Sequence, residues 1–305
     1  MKKPNFEAIK IQVSEAKDSA VEAIKQGAEA IADKASQTKQ DYDLWRYKPV
    51  FMEDYNNPDY VLPKLIQIVE EDDRAEKDVC QGAFGFNDST DEMKALTVLG
   101  NCTDMLGIEF YPTVIESVYY VDPVNPQRYI ELNEYFSYTK AARILELKEL
   151  AQALGATYFK ITLKTEKKQF ISNSAKAKIG AKKVGSIDVK TEVEKKTYET
   201  VSVEAENKFK GHGPFLPKLY YYKNDPVINS LIKMRMDENA HLTEETFMIK
   251  YSNVVGINTN NAVKIENALK KMGKETGNAS ISNEAEEEAR LHFEYHIEFP
   301  KEQNA

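Results

Sequence analysis

The chain has 305 residues, 42% hydrophobic and 30% charged, which is enough for a sizeable core in one large domain or two smaller ones. Its formal charge of −8 argues against general nucleic-acid binding, because neutralising phosphates needs a basic surface. No run approaches the ~20 apolar residues of a spanning helix, and the N-terminal MKKPNFEAIK lacks the apolar stretch of a secretory signal; two cysteines, Cys80 and Cys102, suit a reducing cytoplasm better than a disulfide framework or zinc site.

Residues 1–41 read as a separate helical arm. Ile9, Val13, Ala16, Ala20, Ile24, Ala28, Ile31 and Ala35 recur every three or four positions and share one helical face. The stripe is narrow and half alanine, so it fits a shallow surface, a second copy of itself or a membrane interface. Residues 42–305 are expected to form a single α+β domain. Val61–Val69 is an apolar run that suits a buried strand, followed by the acids Glu70, Glu71, Asp72 and Asp73. Carboxylates at a strand end can hold magnesium, although four consecutive ones cannot all reach one ion and suit a solvated loop.

Val79–Phe86, Leu96–Leu99 and Ile115–Val121 read as strands, with Gly82 and Gly85 permitting bends in the first. The Gly82–Gly85 stretch lacks the lysine of a phosphate-binding loop. Ser137–Leu154 is the clearest helix of the body, with Ile144, Leu147, Leu150 and Leu154 on one face and Gly155 at its end.

The stretch 156–210 splits its charge. Eight lysines stand against one acid, Glu166, between Lys160 and Lys183; six acids stand against three lysines from Val184 to Glu206. Three alternating segments carry these charges, through Phe159, Ile161 and Leu163, through Ile187, Val189 and Val193, and through Val201, Val203 and Ala205. Period-two patterning implies strands with one buried and one wet face, and opposite charges on neighbouring strands would pair across the wet one. Between them, Ser172–Gly185 is small, basic and glycine-bearing, and is expected to be a loop or a weakly specified strand. Its Lys176, Lys178, Lys182 and Lys183 have no nearby acids and are the candidate binding residues, for a protein partner or an anionic membrane.

Further helices are expected from Asp225 to about Asn239 and over Asn260–Met272, with a strand over Thr246–Val255. The last strand, Leu291–Phe299, alternates without a fault and sets His292, Glu294, His296 and Glu298 on its polar face. Two imidazoles flanking a carboxylate suit a divalent metal if the strand curves, so His292, Glu294 and His296 are the candidate metal ligands; no other cofactor is expected. His212, between two glycines, and His241 complete the histidines, and neither can be paired with a nucleophile from spacing.

Together these elements predict an α+β fold: a largely antiparallel twisted sheet with long amphipathic hairpins, helices grouped on one face or end, and an N-terminal amphipathic helix. The layout resembles that of proteins whose twisted sheet bears long amphipathic hairpins, pore-forming ones included. That resemblance implies membrane action, but the apolar alternation of Lys160–Lys168 stops at Leu163, short of a membrane strand. The expected function is binding or self-assembly through the arm and the charge-segregated hairpin, with membrane action or a metal-dependent activity on the last strand as alternatives.

Overall fold

The computed structural model describes Lys25 and residues 36–173, 191–237, 242–251, 256–273 and 280–300, with the backbone alone over 168–173 and 191–196. The fold is α+β and is built on two sheets. A helix over residues 36–47, α1, leads into the strand β1 (Pro49–Val50) and the short helix α2 (Met52–Tyr55). β2 (Leu65–Val69), β3 (Gly85–Asn87), β4 (Ala95–Leu99), β5 (Glu109–Tyr111), β6 (Val118–Val121) and β7 (Arg128–Glu131) then complete the large sheet. Its order is β1-β3-β4-β2-β6-β7-β5, mostly antiparallel, with β2 parallel to β4 and β5 parallel to β7.

The apolar run LIQIV explains why β2 is central: all five residues are buried, as expected of a strand covered on both faces. The neighbouring segment departs from the strand expected over Val79–Phe86. Residues 78–80 form a helical turn, Gly82 takes φ +82°, and extended structure begins only at Gly85. There a Cβ would stand 2.2 Å from the Thr97 carbonyl oxygen, so glycine is required by the close approach of β4.

α3 (Tyr135–Ala153) joins the two sheets. Its first turn enters the core beneath β2, β6 and β7, and Leu147, Leu150 and Leu154 enter the core of the small sheet. β8 (Tyr158–Asn173), β9 (Thr191–Lys208), β10 (Glu244–Lys250) and β11 (Leu291–Glu298) form that sheet in the antiparallel order β10-β11-β8-β9. Val193 and the segment Val201–Ala205, expected on separate strands, therefore belong to one long strand, β9, while Ile187 and Val189 lie outside the described residues.

Phe159, Ile161 and Leu163 of β8 and Phe293, Tyr295 and Ile297 of β11 face α3 and α4 (Pro226–Arg235), each buried side chain contributing about 1.5–3 kcal/mol. α5 (Thr259–Lys271) and α6 (Ile281–Ala289) cover the other core, against one face of the large sheet. Asp225 accepts from the amides of Val227 and Ile228 and so caps α4, with Pro226 in its first turn.

Candidate functional site: the hairpin and its open face

The hairpin β8–β9 is longer than the sheet that carries it. β11 ends its pairing with β8 at Leu291 opposite Thr165, whereas β8 and β9 continue paired to Asn173 and Thr191. Residues 167–173 and their partners thus form a two-stranded ribbon about 20 Å long beyond the sheet. Within the sheet the ladder slips twice, between Ile161 and Thr162 and between Leu163 and Lys164, so that Glu204 and Val201 are extra residues on β9.

The charges of the hairpin are paired, though not as simple neighbours. Lys167 meets Glu199 across the two strands. Lys164 instead meets Glu294 on β11. Glu204, displaced by its bulge, turns toward α3 and lies 3.4 Å from Lys140 Nζ. Glu206 accepts a 2.9 Å hydrogen bond from the Tyr158 hydroxyl. Cross-strand pairing of the lysine strand with the acidic strand is therefore only one of three arrangements. The others could not be read from period-two patterning, which says nothing of bulges or of β11 lying on the far side of β8.

On the open face of the small sheet, β11 sets His292, Glu294, His296 and Glu298 in a row opposite Lys164, Thr162, Lys160 and Tyr158. The row stays extended, and each member has its own neighbour. Glu294 pairs with Lys164. His296 lies 2.7 Å from Thr246 Oγ1 through Nδ1 and 3.1 Å from Glu298 through Nε2. His292 sits under the edge of the Tyr198 ring, 4.9 Å between centroids, and is only 7% exposed. Among the described residues no group of three or more His, Cys, Asp or Glu is placed to hold one metal ion. His292, Glu294 and His296 do not converge, because alternate residues of an uncurved strand stand about 6.5–7 Å apart.

The other candidates fall as follows. Lys176, Lys178, Lys182, Lys183 and His241 lie outside the described residues. His212 is exposed, stacks on Phe215 and lies 2.6 Å from the Gly213 oxygen through Nδ1. Of the acids at 70–73, Asp72 is held by Arg74, which also grips Asp88 and lies over the Phe86 ring. Hydrogen bonds from the Arg74 side chain and amide hold the Asp72 carboxyl below its ordinary range against the cost of burial. Cys80 and Cys102 are both free thiols, pushed up by burial. Among the described residues no helix is long and apolar enough to cross a membrane.

A second polar constellation has no counterpart in the sequence reading. Arg143 of α3 lies over the Tyr251 ring, 4.3 Å from its centroid, and donates to the Tyr251 carbonyl at 3.1 Å. One turn on, Glu146 accepts from the amides of Tyr220, Tyr221 and Tyr222 at 2.9–3.1 Å. These bonds strap the segment that follows β9 onto α3. No family model matches this chain, and no curated protein or solved structure matches it.

Proposed function

We propose that this protein works by self-assembly, and that two copies pair through the free edge of β9. The observation that carries this reading is the state of the edge. A strand edge is ordinarily guarded by lysine, proline or outward acids. Between Tyr198 and Asn207 there is no lysine and no proline. The three acids of that stretch, Glu199, Glu204 and Glu206, are each engaged by a group of their own subunit. Beside the exposed Glu199, Thr200 and Glu206, the stretch exposes apolar side chains: Tyr198, Val201 and Val203 are 44%, 55% and 51% exposed. The two bulges twist this edge, and among the described residues no further strand pairs with it.

A second copy fits this edge without a like-charge clash. Antiparallel pairing of β9 with itself about Val203 sets Val201 opposite Ala205, Glu206 opposite Thr200, Glu199 opposite Asn207 and Tyr198 opposite Lys208. No glutamate then faces a glutamate, whereas a one-residue slip in one direction sets Glu199 against Glu206. Each apolar cross-strand pair adds about 0.2–1 kcal/mol to the new backbone ladder.

Sedimentation velocity on the full chain over a range of concentrations tests the reading. The wild-type chain is expected to dimerise, and the exposed substitution Val203→Lys to yield a monomer with an unchanged far-UV circular dichroism spectrum. A wild-type chain that stays monomeric throughout would overturn the reading. So would a dimer that survives Val203→Lys but dissociates on deletion of residues 1–41, which would move the contact to the arm.

A further inference from the structure

A cleft of about 770 Å³ opens between the approach to β2, the loop joining β6 to β7 and the start of α3. That volume lies within the range of pockets that enclose small organic ligands. Its walls are tyrosines in fixed positions. Tyr55 donates to the Leu106 carbonyl at 2.5 Å and Tyr129 to the Pro63 carbonyl at 2.8 Å, which orients both rings. Tyr60 packs edge-on against Tyr55, and Tyr120 edge-on against Tyr135, at 5.7 and 5.6 Å between centroids.

Two residues of the lining each carry a buried polar atom without a hydrogen-bond partner, Asp122 through Oδ2 and Tyr135 through its hydroxyl, and each residue is 2% exposed. The other Asp122 oxygen accepts from the Val124 amide at 2.9 Å and the Tyr221 hydroxyl at 3.4 Å. Arg128 stands 3.9 Å from Oδ2, at the limit of an ion pair, and gives three of its five N–H donors to Glu109 and Tyr138. A buried carboxylate oxygen left in this condition costs free energy unless a donor reaches it. Burial pushes the Asp122 carboxyl above its ordinary range, against the opposing pull of the Val124 and Asn125 amides, Arg128 and the Tyr221 hydroxyl. The one cationic side chain on the lining, Lys64, belongs to an exposed residue and therefore stands at the rim.

We propose that this cleft binds a small organic cation, its protonated nitrogen donating to Asp122 and Tyr135 and its apolar body held among Tyr55, Tyr60, Tyr120 and Tyr129. Both features of the site select the same chemistry. An under-compensated carboxylate attracts a charged N–H donor, and tyrosine faces attract a cation through their quadrupoles while covering an apolar body. A neutral ligand of the same shape would gain the aromatic contact and leave Oδ2 unpaired. An anion would meet the buried carboxylate. The site is independent of the β9 edge.

A panel of phenethylamine, benzamidine and benzyltrimethylammonium, with 2-phenylethanol as the uncharged control, tests this on the full-length protein by ligand-detected nuclear magnetic resonance and thermal shift. At least one cation is expected to bind more tightly than the alcohol. Its affinity should fall as acid protonates Asp122. Asp122→Asn should weaken the cation about ten-fold or more and leave the alcohol unchanged. Lys64→Glu, a rim change that spares the fold, should strengthen the cation about two- to five-fold at low salt. No binding by any cation of the panel, or equal binding of cation and alcohol, would overturn the proposal. Should Asp122→Asn fail to fold, an unchanged cation affinity in Lys64→Glu would overturn it instead.

Discussion

Glu146, midway along α3, receives the backbone amide of Tyr221 at 2.9 Å across 75 positions of sequence. The flanking amides of Tyr220 and Tyr222 reach the same carboxylate, so one side chain holds three consecutive residues of the segment between β9 and α4. Hydrogen bonds to an ionised acceptor contribute more than neutral ones, and the buried Tyr222 amide has no ready alternative partner. Glu146→Ala is expected to cost about 3 kcal/mol, and Glu146→Gln, which keeps one acceptor oxygen, about half of that. Urea denaturation measures both, and hydrogen exchange at residues 220–222 should quicken in parallel. An Ala variant with the wild-type midpoint would show that the strap is held elsewhere.

The end of α3 gives a second prediction. Gly155 takes φ +73°, its amide donates to the Gln152 carbonyl, and the Ala156 amide donates to the Ala151 carbonyl, closing the helix with a left-handed residue. A Cβ at Gly155 would also stand 1.9 Å from the His212 carbonyl oxygen, in the segment that Glu146 straps down. Gly273 ends α5 with the similar φ of +71°, yet a Cβ there meets no atom of the described residues within 4 Å. Gly273→Ala should therefore cost about 1 kcal/mol, the conformational share alone, and Gly155→Ala about 3 kcal/mol, conformation plus clash. Equal midpoint shifts for the two variants would refute the account of the close approach.

Much of this architecture was legible because it is local. The apolar run of β2, the stripe and terminal glycine of α3, and the alternation in β8 and β11 all follow from periods of 2 and 3.6 within a short window. α6 was missed because only Ile281 and Ala285 of its nine residues are buried, too few to draw a stripe through NEAEEEA. The row His292–Glu298 was legible as an outward face, but the burial of His292 was not, since it depends on Tyr198 arriving from β9. Arg143 and Glu146 fall outside the apolar stripe of α3. Their partners lie 74 to 108 residues away, in segments whose path only the tertiary fold determines. The cleft is of the same kind, with Tyr60, Asp122, Tyr135 and Asn261 drawn from four distant stretches.

Trp45, the sole tryptophan, makes α1 observable. It lies on α1, 70% exposed, with its ring 5.9 Å from that of Tyr42. The isolated chain should therefore show the red-shifted emission of a wet indole, readily quenched by iodide. If two copies meet through β9 alone, dilution through the dimer transition should leave that emission unchanged. A blue shift that tracks dimerisation would place α1 in the interface.

The last prediction concerns pH. Burial pushes the Glu288 carboxyl up to about 7, with Arg143 and the Tyr251 hydroxyl opposing the shift. The folded chain thus retains a proton that the unfolded chain has already lost above the ordinary value of 4.5. More protons bound in the folded state means that stability falls as pH rises through that window, by about 2–3 kcal/mol in total, and does not recover above it. Asp122, also raised, adds to the same slope. Asp72 and Glu266 are lowered, so their contributions are lost only in more acid solution. Glu288→Gln should flatten the decline and leave the variant more stable than wild type by about 2 kcal/mol near pH 8, while matching it near pH 4. Urea titrations across that range read the difference directly. A wild-type chain that gains stability from about pH 5 to about pH 7 would contradict the buried carboxyl at Glu288.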